Sequence, residues 1–336
     1  MGCERIVGFD YIRALAVMLV LLCHSGQSIG WERCGISGGV GNCMFFLLSG
    51  FCLGGRWREK GCPVLGLDFL KRRFFRLYLP FAIFLVLYVL YNGFSGHIIP
   101  ITMNFLTLSW FFKLPGGGHL WFVSGMVICY AVLAAISIKG QTMRPCAALP
   151  IIEILLVCAA MQMGLALIGV KQAYFLSMLV GAMIAFLYGD CMIAFIGKWS
   201  LYFKVIGTMA FIFLLGTLSI NYDMINVNDM PVVYYWLCMA IAMLLIAVVI
   251  AIGFQKLAQP FAFISVVSYE TYLVHDPFRF VPSPQYSLDN KFIYVLYFIL
   301  VTILQGWALH IFVSIVSRCI GWARNQMCPK SRNPPN

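Results

Sequence analysis

Apolar residues in this chain come in long unbroken runs, separated by short stretches where charge, glycine and proline collect. The runs are continuous rather than alternating, so they predict helices and not the staves of a membrane barrel. A helix that crosses a bilayer needs about 20 mostly apolar residues. Ten segments approach that length: 11–29, 39–55, 77–95, 119–138, 148–168, 174–196, 202–220, 232–253, 260–280 and 291–316. The second is short, which fits a tilted or partly re-entrant helix. Stretch 101–112 is apolar but too short to span, and reads as an interfacial segment. An even number of spans puts both termini on one side.

Composition agrees with that pattern. Hydrophobic residues make up 62% and charged residues 10%, with a mean hydropathy of +0.91. A soluble domain carries about 25% charge, so a solvated surface around a core is excluded. Disorder is excluded too, because apolar content is far too high. The fold class is therefore an all-α polytopic membrane protein of about ten transmembrane helices.

The net charge of +11 would point to nucleic acid in a soluble protein. Here it sorts by side. Of the 23 Lys and Arg, only Arg33, Lys113, Lys171, Arg279 and Lys291 fall opposite the N-terminal side. Positive residues concentrate in cytoplasmic loops, so both termini are expected in the cytoplasm. Arg5 before an apolar run resembles a signal peptide, but Asp10 and Arg13 open that run and no Ala-x-Ala site follows. Residues 1–318 read as a single membrane domain and 319–336 as a short cytoplasmic tail, its end 328–336 disordered. The 13 cysteines show no Cys-x-x-Cys spacing and mostly serve as small apolar residues. A Cys34–Cys43 bridge at the outer face is weighed but not favoured. No metal site is expected.

Ionisable residues inside a membrane are costly and are functional candidates. Arg13 and His24 are 11 residues apart, about three turns and about 16 Å along one helix face. Asp10 lies three residues before Arg13, close enough to pair with it. The rival reading has Arg13 snorkelling to headgroups and His24 bonding a neighbouring backbone. In the basic cluster Lys71-Arg72-Arg73-Phe74-Phe75-Arg76, an early helix start puts Arg72, Arg73 and Arg76 on one arc. Such a fork suits phosphate, and equally attracts anionic lipid. Ser268, Tyr272 and His275 form a stripe at i, i+4, i+7, with Tyr269 and Glu270 beside it. Interfacial anchoring accounts for the tyrosines but not for Glu270, a carboxylate near mid-membrane. His119 and Trp121, entering the fourth span from outside, are also read as plain interfacial residues. Gly50 and Gly54 form a Gly-x-x-x-Gly, a close helix-packing signal.

In order along the chain, Phe9-Asp10-Tyr11-Ile12-Arg13 with His24, Met44 to Phe51, Arg73-x-x-Arg76 with Leu77-Tyr78-Leu79-Pro80, His119-Leu120-Trp121-Phe122, and Ser268-Tyr269-x-x-Tyr272-Leu273-x-His275 resemble the integral-membrane acyltransferase family 3. The resemblance covers about residues 8–280. It implies an acyl-CoA-dependent O-acyltransferase of the bacterial cytoplasmic membrane. Acetyl-CoA would be the co-substrate, with no permanently bound cofactor. The acceptor would be a hydroxyl of a lipid-linked surface glycan such as O antigen, and nucleic acid would be no partner. About 20 residues follow the last span, which resembles the stand-alone members without an added soluble domain.

Under that resemblance, Arg72, Arg73 and Arg76 hold the phosphates of coenzyme A, and the arm runs past Arg13 to His24. His24 is the general base and Glu270 orients it. His119, Trp121, Tyr269, Tyr272 and His275 form the acceptor or oxyanion site, and Asp10 supports Arg13. His310, in the last span, is expected to be dispensable. Two other classes fit the residues: a non-enzymatic flippase of a lipid-linked glycan, and an acyltransferase for a lipid or small metabolite.

Overall fold

The computed structural model describes residues 7–31, 34–60, 67–92, 97–115, 117–140, 173–187, 189–219, 231–253, 256, 258–275 and 291–327. The expected span at 148–168 lies outside them. Among the described residues every regular element is helical: α1 (Val7–Ser28), α2 (Gly35–Lys60), α3 (Leu67–Asn92), α4 (Ile98–Phe105), α5 (Trp121–Gly140), α6 (Ala173–Leu187), α7 (Gly189–Lys198), α8 (Ser200–Ser219), α9 (Pro231–Ile252), α10 (Gln259–Val274) and α11 (Lys291–Met327). Among the described residues, four stretches are long and apolar enough to cross a membrane: Val7–Ser28, Gly35–Gly55, Arg73–Tyr91 and Lys291–Ile320.

Several expectations change in detail. The second segment is not short, because α2 runs 26 residues. Within the stretch expected as a span at 174–196, helix is described on both sides of residue 188, as α6 and α7. Helix α11 continues to Met327, past the expected end of the membrane domain at 318. Stretch 101–112 holds the end of α4 and then turns.

Helices α1 and α2 form an antiparallel hairpin. Gly38 lies against Cys23, and Gly41 against the Ala16 carbonyl and the Val20 side chain. The Gly-x-x-x-Gly expectation holds on the opposite face. Gly50 and Gly54 rest on the backbone of Met178 and Ala182 in α6, and Gly181 rests on Leu47 in return. A Cβ at any of the three would enter the facing backbone, so only glycine permits this approach. Cys34 and Cys43 are both unbridged. They belong to different surroundings, Cys34 beside Gly26 and Cys43 bonded to Ser177, so no bridge forms at the outer face.

Helix α10 lies alongside α1 and parallel to it. At one end Ser265 donates to Asp10 (2.9 Å); at the other the rings of His24 and His275 meet. Helix α10 has no capping side chain of its own. Its Ala258 N–H donates instead to the Tyr11 hydroxyl of α1 (3.0 Å), which in turn donates to the Lys256 carbonyl (3.4 Å). With 16 residues, α10 is about 24 Å long, less than the roughly 30 Å of a hydrocarbon core. The sequence explains the stop: Asp276-Pro277 follows, and a proline disfavours helix at the residue before it.

Candidate active site

A short helix leaves its last carbonyls without intrahelical donors, and inside a membrane these must be met by protein. Two imidazoles meet them at the end of α10. His275, its C-cap residue, turns Nδ1 onto the Tyr272 carbonyl (2.6 Å). His119, on the 3-10 turn Gly118–Leu120 ahead of α5, turns Nε2 onto the Leu273 carbonyl (3.0 Å). A carbonyl accepts only, so each of these nitrogens carries the proton. In the neutral imidazole the lone pair then sits on Nδ1 of His119 and on Nε2 of His275.

These rings converge with a third. His275 lies 4.4 Å from His24 and 4.5 Å from His119, centroid to centroid. Both are buried, and His24 is half-buried. The three sequence motifs that supplied them, 251 residues apart at the extremes, thus meet in one place. Among the described residues no group of three His, Cys, Asp or Glu has the arrangement to hold a metal ion.

Aromatic residues wall the site on its inner side. The Tyr272 ring packs 4.5 Å from Phe122 and 6.4 Å from Phe45, and its hydroxyl donates to the His119 carbonyl (3.2 Å). His275 likewise turns its Nδ1 onto the helix end. Trp121 stacks on Phe46 at 6.4 Å and 1°, a packing role beside the site. The segment 97–115 packs beside the end of α10, with Ile101 and Leu114 in one cluster with Leu273 and Val274. Tyr78 and Tyr88 of α3 tie it down through the Phe105 and Pro115 carbonyls (3.1 and 2.6 Å). Ser124 of α5 holds the Thr107 carbonyl (2.5 Å), where Thr107 takes a left-handed φ of 59°.

The remaining candidates fall into two groups. Arg13 pairs with Asp10 at 2.8 Å as the spacing predicts, and Asp10 is buried while Arg13 keeps 39% of its side chain exposed. Helix α3 does start early, at Leu67, so Arg72, Arg73 and Arg76 all lie on it. Arg76 is exposed and Arg73 half-buried. From Arg73 a file of polar groups leads inward. Tyr130 of α5 lies within electrostatic reach of Arg73 and hydrogen-bonds Ser49 of α2. Tyr269 lies within electrostatic reach of Tyr130 and of Tyr272, and its hydroxyl donates to the Leu77 carbonyl (2.9 Å).

Glu270 does not sit behind His24. Its carboxylate is buried and bonds His310 Nδ1 of α11 at 2.9 Å. The expected Glu270–His24 dyad is replaced by Glu270–His310, which gives His310 a partner that the sequence did not suggest. The reason is helical geometry: Glu270 and His275 are five residues apart, about 140° around α10, so they face different neighbours. Beside Glu270, Gly306 of α11 presses on Thr271, which brings α11 close enough for the pair to form.

The comparison with known families agrees with the motifs. A family model described as an acyltransferase domain matches residues 6–322. No curated protein and no solved structure matches the chain.

Proposed function

Because this membrane protein belongs to the acyltransferase family 3 over nearly its whole length, we propose that it is an acetyl-CoA-dependent O-acetyltransferase of the bacterial cytoplasmic membrane. It transfers acetyl to a hydroxyl of a lipid-linked surface glycan, with O antigen or a related polysaccharide as the acceptor. The observation that carries this reading is the meeting of His24, His119 and His275 at the buried end of α10, joined by a polar file to Arg73.

The parts divide the reaction between them. Arg73 and Arg76, with Arg72 on the same helix, bind the phosphates of coenzyme A at the cytoplasmic mouth, since guanidinium forks match phosphate oxygens. Arg13, braced by Asp10, guides the arm inward. His24 removes the proton from the sugar hydroxyl as its oxygen attacks the thioester carbonyl carbon. The tetrahedral intermediate then collapses, the C–S bond breaks, and the thiolate recovers the proton from the imidazolium. Ester and free thiol result, with no net proton change. A general base of this kind contributes roughly 10²–10⁴ in rate. His275 and His119 hold the sugar through their lone-pair nitrogens, with Trp121, Tyr269 and Tyr272 shaping the slot. Glu270 and His310 brace α11 against α10 and so position His275.

The test uses purified protein, acetyl-CoA and lipid-linked glycan. Free thiol should appear only when both substrates are present, with an acetyl mass gain on the glycan. Glycan that crosses a vesicle bilayer without consuming thioester would sink the enzyme in favour of a flippase. An acetylated lipid or small metabolite in place of glycan would move the acceptor to the other class.

A further inference from the structure

Asn42 of α2 is an unexplained polar group in the same bundle. It is 9% exposed, and its Oδ1 is buried and accepts no hydrogen bond. Phe45, Phe46 and Ser49 follow it at i+3, i+4 and i+7, so the four share one helix face. That face is the inner wall already described: Phe45 lies 5.9 Å from Phe122, Phe46 lies 5.1 Å from Phe122, and Ser49 bonds Tyr130. Asn42 therefore looks into the polar file that joins Arg73 to the histidines.

Its depth is set by the α1–α2 hairpin. Its neighbour Gly41 lies against Ala16 and Val20, so Asn42 stands about six residues, or about 9 Å, on the Arg13 side of His24. A donor whose phosphates stay at Arg73 and whose thioester reaches His24 must pass this carboxamide.

We propose that Asn42 binds the amide of the coenzyme A arm nearest the thioester, an inference that rests on the acyl-CoA reading above. Two methylene groups separate that amide from the sulfur, so it trails the reacting carbon towards the cytoplasm. A carboxamide and a secondary amide are complementary. Asn42 Oδ1 accepts from the arm's N–H, and Nδ2 donates to its carbonyl. A buried acceptor oxygen asks for a donor, and the phosphates and the thioester supply none. The sugar approaches from beyond the histidines. The aromatic walls formed by Phe45, Phe122 and Tyr272 suit the methylenes between.

The experiment compares three acetyl donors with the full-length protein: acetyl-CoA, S-acetyl-N-acetylcysteamine, which keeps only that amide, and S-propyl thioacetate, which lacks it. The wild type should prefer the cysteamine thioester to the propyl thioester by about tenfold in kcat/KM, the scale of a hydrogen bond or two. Asn42→Leu, with the same branching and heavy-atom count but no polar atom, should lose about tenfold with acetyl-CoA and the cysteamine donor, and its loss with the propyl donor should be smaller. Equal use of the two short donors by the wild type overturns the proposal, whether or not the variant folds. So does an Asn42→Leu effect confined to the KM of the glycan. If the wild type consumes no acetyl-CoA at all, the acyltransferase reading itself has failed.

Discussion

A histidine that only bonds its neighbours tolerates an amide in its place, whereas one that accepts a proton does not. His24→Gln should therefore cut transfer by about 10²-fold or more while membrane insertion and acetyl-CoA affinity stay unchanged, as read by product mass and by donor titration. Near-normal transfer would make His24 structural. Glu270 and His310 call for a different measurement. Glu270 is buried and His310 only half-buried, so His310→Gln strands a buried carboxylate, and it and Glu270→Gln should each lower the melting temperature. The double variant should fall short of the sum, with a coupling of about 0.5–3 kcal/mol. Additive losses would mean that the pair has no energetic existence. The contrast with Asp10–Arg13 shows what a sequence reveals at this scale. Asp10 and Arg13 are three residues apart on one helix, and their pairing at 2.8 Å follows from spacing alone. Glu270 and His310 are 40 residues apart on separate helices, and no local rule joins them. The carboxylate was visible as a problem in need of a partner, but the partner depended on how α11 packs.

Helix packing was legible where residue size decides it. Gly50 and Gly54 marked a close contact, and α6 supplies it. Gly54→Leu should accordingly prevent recovery of monodisperse protein in detergent, because the side chain would enter the Ala182 backbone. Gly55→Leu, with nothing within 4 Å of its would-be Cβ, should behave as wild type. Equal behaviour of the two would refute the α2–α6 contact. The basic end of α3 gives a second test: Arg73→Ala and Arg76→Ala should weaken acetyl-CoA binding, and Lys should restore it only in part, having no planar fork. Unchanged donor affinity would assign the cluster to lipid headgroups. Hydropathy was less informative about where helices stop. The expected span 260–280 hid the early end of α10, although Asp276-Pro277 marked it. That end matters most, since the carbonyls it leaves are the ones the two imidazoles bond.

At the scale of the whole molecule, the distribution of charge carries a prediction that packing does not. Ten spans would put 18 of the 23 Lys and Arg on one side, so tags at Asn336 and near Cys62 should be shielded from impermeant reagents in intact cells, and a tag near Asp229 should be reached. Labelling of Asn336 from outside would overturn the orientation.

Helices α1 and α10 are lashed together at both ends. Tyr11 and Asp10 hold the start of α10, and the His24–His275 contact closes the far end. Two rods fastened twice cannot slide or scissor past each other; they travel as a single beam. The segment 97–115 is fastened differently. Tyr78, Tyr88 and Ser124 hold three of its carbonyls, and Ile101 and Leu114 pack with Phe81, Phe84 and Leu273. Moving it costs those bonds and that apolar contact together, whereas the beam and its His24–His275 contact can stay as they are.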